Sequence, residues 1–480
     1  MLYSEGVGAP ISPDRKSGSS VGHAAAVLAG ALLFAWPAVF NGYPLLYPDS
    51  ITYIGSGRPV ARALFLHKFS VYYGMRSLIY GLGIFPFHWE ISPWPVVGLQ
   101  ALLAAYMLWL VVRSILERQT VVRYLLLAGL LSLLSSVSWY VSVVLPDVLG
   151  PLLWLAIYLL IFARDTLSSY ERGTVALVAC WAAASHISHL VLAAGICLLL
   201  VILRLLQCPQ VNNRMRGIAE AAAIVLVAAV VQLALHAYLY GKASLEGESP
   251  PYLAARVIAD GPGRWYLKNH CGEIRLALCA SVGELPDNTD EFLWDPNGIW
   301  PTAAREGDDR IRQEETSFVV AVVRAYPREE LSFAAANFWQ QLGAFGLWDL
   351  GRNNWVLDAF DTALRKGKTG YLASAQFNDD LPLDLFSEIQ FWTVVVSLGI
   401  VGIAAISPLM RRDASARLPG LGVVLLPGLV ANALLTSVFS NAEERYQCRV
   451  IWVLPLYAGI LILYWLDRHG EERRKKGSAH

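Results

Sequence analysis

The sequence predicts a polytopic α-helical membrane protein with about ten transmembrane helices and a soluble domain inserted between the seventh and eighth helices. Hydrophobic residues make up 55% of the 480 positions. Charged residues make up only 16%, whereas an ordinary soluble domain has about 25%. Apolar runs also recur at the length of about 20 residues that a helix needs to cross a bilayer.

Ten apolar stretches are candidate spans at this length, although the fifth is short. They are residues 22–40, 95–112, 121–138, 148–163, 174–187, 190–206, 217–239, 390–409, 418–438 and 449–466. The first stretch is long and is not followed by a small-residue cleavage pattern. We therefore expect an uncleaved first helix rather than a secretory signal.

The distribution of Lys and Arg predicts the orientation of these spans. Short cytoplasmic loops collect cations, and a cytoplasmic N-terminus gives every inside segment at least two of them. The last inside segment has five, between Arg468 and Lys476. A missed span would break this alternation, so we expect both termini in the cytoplasm.

Charge density divides the chain into three predicted parts. Between residues 241 and 388, 37 of 148 positions are charged, against about 12% of the other positions. The predicted parts are a transmembrane module at 1–240 with a long first outer loop at 41–94, an outer soluble insert at 241–389, and the last helices with a basic tail at 390–480. No strongly basic face is present, which excludes nucleic acid as an expected partner.

Cysteines and short motifs limit the chemistry further. Cys271 and Cys279 lie close together in the outer insert, on the oxidising side of the predicted topology, so a disulfide is expected between them. The sequence contains no CxxC, HExxH or P-loop motif, and therefore gives no sign of a soluble zinc or nucleotide site.

Two outer regions have partly open structures. In the first loop, the run from Val71 to Phe87 is rich in aromatic and apolar residues and contains Arg76, which suits an amphipathic helix on the outer membrane surface or a half-inserted hairpin. The insert is punctuated by turn-forming residues and fits either a mixed α/β or a mainly helical domain.

Two aspartates lie at the outer ends of predicted spans. Asp49 follows the first span in the run Tyr47-Pro48-Asp49-Ser50, and Asp147 opens the fourth span. Either residue can be a helix N-cap. Together they can share a site in which Asp49 is a general base toward a hydroxyl and Asp147 orients the substrate, or both hold a divalent ion such as Mg²⁺ or Mn²⁺.

Histidines and arginines on the same predicted side are candidate phosphate ligands. His186 and His189 are three residues apart, which suits hydrogen bonds to a phosphate or sugar, a polar interfacial turn or, less well, zinc. Arg445 and Arg449 are four residues apart and can clamp a phosphate, or can snorkel and pair with neighbouring glutamates. Arg58 in the first loop is either another phosphate contact or a solvated charge.

These motifs resemble those of membrane glycosyltransferases of the GT-C superfamily, the polyprenyl-phosphate-sugar-dependent class that includes the aminoarabinose and protein-mannosyl transferases. The resemblance rests on Pro48-Asp49-Ser50 with Tyr53, on the long first loop, on Asp147, and on the Arg445-Tyr446 pair before the last span. It covers roughly residues 20–240 and the last loop. Two departures are that Ser50 replaces a second adjacent acid, and that the soluble domain is inserted rather than C-terminal.

The resemblance implies an enzyme of the bacterial inner membrane and cell envelope that moves a sugar from a polyprenyl-phosphate donor to a hydroxyl at the periplasmic face, with inversion. It implies Asp49 as the catalytic base and Asp147 as a second acidic group. Tyr53, Tyr446 and Arg58 are then expected to contact substrate. The acceptor, whether lipid, glycan or protein, stays open, as does a metal requirement.

Other classes of protein remain as alternatives. A transporter or flippase would place polar groups at the membrane midplane, where Gln232 and His236 are the nearest candidates. An O-antigen polymerase or ligase, or an acyltransferase, would also act at one face on a lipid carrier, and a receptor or assembly protein would use only the insert. An Asp49→Asn variant distinguishes a glycosyltransferase, which should lose turnover, from a transporter or scaffold.

Overall fold

The molecule is helical, as the sequence predicts. The structure is a computed structural model that describes residues 20–69, 76–116, 120–245, 249–406 and 416–477. Helix accounts for 78% of it, and the described ranges contain no β-strand. A single parallel bridge pairs Leu45 with Val143.

The first 240 residues form a bundle of long and short helices. In chain order these are α1 (Ser20–Phe34), α2 (Trp36–Asn41), α3 (Pro48–Leu66), α4 (Leu78–His88), α5 (Trp94–Ile115), α6 (Thr120–Leu134), α7 (Val137–Ser142), α8 (Leu149–Phe162), α9 (Ser169–Ser185), α10 (Ile187–Leu205) and α11 (Met215–Tyr240). Short 3₁₀ turns at Pro146–Val148 and Arg164–Thr166 flank α8.

The region of the predicted insert is also helical. Its helices are α12 (Tyr252–Asp260), α13 (Pro262–His270), α14 (Thr289–Leu293), α15 (Ile299–Arg305), α16 (Arg310–Ala325), α17 (Pro327–Gly343), α18 (Asn354–Ala363) and α19 (Lys368–Leu372). Further 3₁₀ turns lie at Ala277–Ser281 and Trp348–Leu350. A disulfide joins Cys271 to Cys279, with their Cα atoms 5.5 Å apart.

The chain then returns to the bundle through four more helices. These are α20 (Leu383–Ile406), α21 (Arg417–Phe439), α22 (Glu444–Ile451) and α23 (Val453–Gly477). The end of α20 and the start of α21 are separated by residues 407–415, which lie outside the described residues.

Six helical stretches are long and apolar enough to cross a membrane, which supports a multi-pass membrane protein. They are Trp94–Ile115, Ile187–Leu205, Met215–Tyr240, Leu383–Ile406, Arg417–Phe439 and Glu444–His469. The predicted spans at 22–40, 121–138, 148–163 and 174–187 fall on the shorter helices α1, α6, α8 and α9. A total of ten spans therefore stays a prediction.

Polar contacts mark two opposite ends of the bundle. At one end, backbone and side chains of the first loop, α7, α9 and α22 meet, as in the hydrogen bond from Ser77 to the Ala184 carbonyl and that from Ser136 to the Cys448 carbonyl. At the other end, helix termini are joined by ion pairs. These pairs are Arg113–Glu171, Arg123–Asp467, Arg164–Glu220 and Arg417–Asp165.

Two hydrophobic cores are present in the described residues. The smaller core is built from α12 to α16 and includes the buried side chains of Val257, Phe292 and Phe318. The larger core runs through the bundle and includes Phe360 and Tyr371 of α18 and α19. The second half of the predicted insert therefore packs on the bundle, at the same end as the first loop.

The predicted surface helix at 71–87 is observed in part as α4, and its position at the membrane surface stays a prediction. Residues 70–75 lie outside the described residues, and the helix begins at Leu78. Ser77 caps it by accepting a hydrogen bond from the backbone N–H of Ile79. The α4 helix packs along α3 rather than standing alone, because Gly57 and Gly81 let the two backbones approach closely.

Candidate functional site

One guanidinium joins the two aspartates that the sequence singles out. Arg445 donates from Nη1 to Asp49 Oδ2 at 2.8 Å. It also donates from Nε and Nη2 to the two oxygens of Asp147, at 3.1 and 2.9 Å. These contacts span 396 and 298 positions of the chain, so three distant segments converge on one point.

Local structure leaves both carboxylates available for this contact. The α3 helix starts at Pro48, and the N-terminal hydrogen bond is made by Ser50, whose Oγ accepts from the Tyr47 N–H at 2.9 Å. Asp147 lies in the 3₁₀ turn before α8, and no side chain caps that helix. Neither aspartate is therefore the simple N-cap that its position allows.

Two further arginines complete the group. Arg76 donates from Nη2 to Asp49 Oδ1 at 2.6 Å, so both oxygens of Asp49 accept from guanidinium groups. Arg449 donates to Asp147 Oδ1 at 3.2 Å and to Ser188 Oγ at 3.3 Å. We call Asp49, Arg76, Asp147, Arg445 and Arg449 the arginine–aspartate cluster.

Arg76 is the member that sequence reasoning missed. It is a single cation in the apolar run 71–87, where we expected it on the face of a surface helix. Its pairing with Asp49 depends on how the first loop folds back over α3, and no local pattern specifies that path. A lone cation within an apolar run was the available signal.

The cluster is buried and carries an excess of positive charge. Asp147 is fully buried, and the side chains of Arg449 and Arg445 are 2% and 7% exposed. Three guanidinium groups face two carboxylates, so the side chains of the cluster by themselves sum to one positive charge, and a third carboxylate lies beside them. Outside the side chains of the cluster, the Arg445 backbone N–H donates to Asp349 Oδ2 at 2.8 Å.

Electrostatics keep Asp49 ionised. Burial by itself would raise the pKa of Asp49, but Arg76 and Arg445 outweigh burial and hold the pKa below its ordinary value. The Tyr47 ring lies 4.4 Å from the guanidinium carbon of Arg445 and covers its face. The carboxylate is thus charged at neutral pH and is a weak base while both arginines remain bound to it.

The two histidines lie beside the cluster with different contacts. His186 ends α9 and begins α10, and its Nδ1 contacts the N–H and hydroxyl of Ser188, at 3.2 and 2.8 Å. His189 Nδ1 donates to the Ala182 carbonyl at 3.1 Å. The rings are 5.4 Å apart. His186 reaches the cluster through Ser188, which also accepts from Arg449.

The three predicted substrate contacts occupy different places. Tyr53 is fully buried, and its ring meets that of Tyr80 at 5.0 Å. Tyr446 lies under Arg449, with 5.4 Å between the guanidinium carbon and the ring centre. Arg58 forms an ion pair with Glu90 outside the cluster. Contact between any of them and a substrate stays a prediction.

Several buried polar atoms at this end have no hydrogen-bond partner within the described part of the chain. They are Tyr53 Oη, His189 Nε2 and Arg449 Nε. Buried polar atoms are usually satisfied, so unsatisfied ones call for an explanation. Each of these atoms is a candidate hydrogen-bond partner for a bound water or a polar ligand.

The donor set does not fit the divalent ion considered from the sequence. Every carboxylate oxygen of Asp49 and Asp147 accepts from an arginine. No three His, Cys, Asp or Glu side chains in the described ranges are placed to hold a metal ion. The Arg445 guanidinium takes the position between the two aspartates, where Mg²⁺ or Mn²⁺ would have to bind.

Comparison with known proteins identifies no relative: the chain matches no family model, no curated protein and no solved structure. Function is therefore inferred from the geometry and the chemistry of the arginine–aspartate cluster.

Proposed function

We propose that this chain is an integral membrane glycosyltransferase that moves a sugar from a polyprenyl-phosphate donor to a hydroxyl acceptor. The observation that carries the proposal is that Arg445 bridges Asp49 and Asp147 in a buried site. The resemblance of Pro48-Asp49-Ser50 and Arg445-Tyr446 to GT-C enzymes is the second support.

The proposed setting is the bacterial inner membrane, with ten spans and both termini in the cytoplasm. The cluster and the insert then face the periplasm, where lipid-linked sugars are presented. Two observations support this orientation. The cluster and the helices α17 to α19 lie at one end of the bundle, and the ion-paired cations of the short loops lie at the other.

The donor phosphate is proposed to bind Arg445, with help from Arg76 and Arg449. A phosphate is the natural partner of several guanidinium groups, because each can donate two parallel hydrogen bonds. The excess positive charge of the cluster favours an anion over a neutral sugar. The carrier lipid would remain in the bilayer while its phosphate reaches the buried arginines.

The proposed reaction is a direct displacement. The acceptor oxygen attacks the anomeric carbon, the bond from that carbon to the phosphate oxygen breaks, and the configuration inverts. Asp49 takes the proton of the acceptor hydroxyl. Negative charge develops on the departing polyprenyl phosphate, and the arginines stabilise it in poorly hydrated surroundings.

Donor binding is proposed to activate Asp49. In the ligand-free arrangement, Arg76 and Arg445 lower the pKa of Asp49 and so weaken it as a base. A phosphate that recruits these guanidinium groups would draw them from the carboxylate. The pKa of Asp49 would then rise toward the value its burial favours, and the base would gain strength only when donor is present.

The acceptor is not specified by these residues. The second half of the insert packs beside the cluster, through Asp349 and the 3₁₀ turn that holds it. We propose that this part of the insert contacts the acceptor, which can be a lipid, a glycan or a protein.

The test is a transfer assay in proteoliposomes with a panel of radiolabelled polyprenyl-phosphate sugars. Asp49→Asn keeps the shape of the side chain and removes the base. We expect turnover to fall about 100-fold to 10,000-fold, the usual contribution of general base catalysis. Donor binding should persist, because the arginines remain.

Asp361→Asn is the matched control, because Asp361 is 69% exposed and pairs only with Lys368 among the described residues. Its turnover should equal that of the wild type. Full activity of Asp49→Asn would overturn the proposed role of Asp49. Equal losses in both variants would show that the assay reports folding rather than catalysis.

A further inference from the structure

Two buried glutamines of the insert hold the two chain segments that lead into the arginine–aspartate cluster. Gln341 lies in the last turn of α17, and Gln376 lies between α19 and α20. Both residues are at most 1% exposed. Each side-chain amide bonds to both backbone groups of a single residue, and that residue lies just before a member of the cluster.

The first contact is between Gln341 and the backbone of Glu443. Gln341 Nε2 donates to the Glu443 carbonyl at 2.7 Å, and its Oε1 accepts from the Glu443 N–H at 3.0 Å. Glu443 is the extended N-cap of α22, with φ −127° and ψ 142°. An extended residue exchanges both bonds with one neighbour in a β-ladder, and the glutamine amide supplies the same donor and acceptor. Arg445 follows two residues later, so its helix starts from a fixed point.

Gln376 makes the same pair of bonds with Leu46, three residues before Asp49. Its Oε1 accepts from the Leu46 N–H at 3.0 Å, and its Nε2 donates to the Leu46 carbonyl at 2.9 Å. The same Nε2 donates to the Leu350 carbonyl at 2.9 Å, and the Gln376 N–H donates to Asn41 Oδ1 at 2.6 Å. The segment before Asp49 is therefore attached to the insert at more than one point.

Further contacts hold the start of α22. The Gly346 N–H donates to the Glu444 carboxylate, and Asp349 Oδ2 accepts from the Arg445 N–H at 2.8 Å. The bundle holds the same helix through the Tyr140 hydroxyl, which donates to the Arg445 carbonyl at 3.2 Å. The position of Arg445 therefore depends on the insert as well as on the bundle.

We propose that Gln341 and Gln376 are positioning residues for the arginine–aspartate cluster, Gln341 for Arg445 and Gln376 for Asp49. The need to satisfy a buried amide explains why each glutamine is bonded. It does not explain why each amide takes both backbone groups of a residue within three positions of a cluster member. A neutral amide also fixes the backbone without adding charge beside the guanidinium groups. That the positioned arginine binds a donor phosphate rests on the proposed function.

The test measures backbone hydrogen exchange by mass spectrometry in the full chain, in detergent micelles, for Gln341→Met and Gln376→Met. Methionine keeps the length of the side chain and removes the amide. Gln341→Met should speed exchange at residues 441–446 and leave residues 45–50 at the wild-type rate. Gln376→Met should do the reverse. Loss of two hydrogen bonds should speed local exchange about fivefold to 100-fold.

Asn337→Leu is the matched control. Asn337 lies one turn before Gln341 on α17, and its amide donates to Asp260 inside the insert at 3.1 Å. Both segments should keep the wild-type exchange rate in this variant. Gln341→Asn, whose amide is one methylene shorter, tests the same contact if Gln341→Met does not fold.

The affinity for polyprenyl phosphate separates this proposal from the proposed function. Gln341→Met should bind about fivefold to 30-fold more weakly, which is the effect of one or two hydrogen bonds at their usual net strength. Gln376→Met should bind as tightly as the wild type, because the carboxylate of Asp49 is not a ligand for an anion.

Unchanged exchange at both segments, or equal acceleration in all three variants, would overturn the positioning roles. Local acceleration with unchanged affinity in Gln341→Met would overturn the role of Gln341 in phosphate binding. If the exchange changes are local and the wild type does not bind polyprenyl phosphate, the positioning roles are supported and the proposed function is overturned instead.

Discussion

Two buried groups of arginine and carboxylate hold different parts of this molecule, and they differ in the sign of their excess charge. The arginine–aspartate cluster has three arginines and two aspartates, which come from segments up to 396 positions apart. In the insert, a single arginine, Arg256, donates to Asp260 at 2.8 Å and to Glu330 at 2.7 Å. That second group has two carboxylates for one guanidinium.

The pKa values of the carboxylates follow this difference. Arg76 and Arg445 overcome burial at Asp49 and lower its pKa. At Asp260 and Glu330, burial outweighs Arg256 and raises the pKa. The insert group can relieve its excess charge by taking up a proton, whereas arginine does not give up its proton. The cluster is therefore the better site for an external anion.

The largest expected effect on stability is at Asp147. Asp147→Asn should lower the free energy of unfolding by about 3–5 kcal/mol, because it leaves Arg445 and Arg449 buried without their shared carboxylate. Thermal unfolding in detergent micelles measures the change against Asp361→Asn, an exposed control. An unchanged melting temperature would mean that the cluster is not energetically coupled to the fold.

A smaller and pH-dependent effect is expected where the insert meets the bundle. Burial first, and then Asp290 and Asp349, raise the pKa of Glu443 to about 7, against the opposing effects of Asn441 and Arg445. The protonated form is thus favoured in the folded state. Its contribution to stability is complete below about pH 4.5 and is lost as the pH rises through about 7.

Glu443→Gln should therefore be more stable than the wild type at pH 8, by about 1–2 kcal/mol, because one pKa unit is worth about 1.4 kcal/mol and solvent screens a partly exposed group. Melting temperatures between pH 5 and pH 8 measure it, with the exposed Glu388→Gln as control. A wild-type melting temperature that rises steadily toward pH 8 would contradict the assigned direction.

The smallest effect is expected in the insert group. Glu330→Gln replaces a carboxylate whose pKa burial already raises, and Arg256 keeps Asp260 at 2.8 Å. We expect a loss below about 1 kcal/mol in unfolding free energy. A loss as large as that of Asp147→Asn would show that excess charge does not distinguish the two groups.

Sequence reasoning could predict the main residues of the site because membrane topology constrains them. Asp49, Asp147, Arg445 and Arg449 all lie at span ends that alternation puts on one side. Topology does not say whether these four side chains touch each other, and the structure shows that they lie within hydrogen-bond distance. The fold class could also be predicted, because the length of an apolar helix is a local property of the sequence.

Some contacts of the site and of the insert could not be predicted, because they form between segments that are distant in the sequence and no local pattern specifies them. Arg76 pairs with Asp49 only because the first loop folds back on α3, and Arg58 turns instead to Glu90. The insert is helical throughout the described part, whereas its turn-rich sequence also allowed a mixed α/β domain. Tyr371 packs with the bundle although its surroundings are composed like the rest of the insert.

The most direct measurement of the central claim is the affinity of the purified protein for polyprenyl phosphate, in the wild type and in Arg76→Gln. Arg76 contacts Asp49 and its side chain is 22% exposed, so its replacement should leave the fold intact. Losing one charge-assisted contact should weaken binding about 10-fold to 100-fold. Arg310→Gln is the control, because Arg310 is a 67% exposed arginine of the insert that pairs with Asp308, and it should bind normally. Equal affinity in the wild type and Arg76→Gln, or equal weakening in both variants, would contradict phosphate binding at the arginine–aspartate cluster.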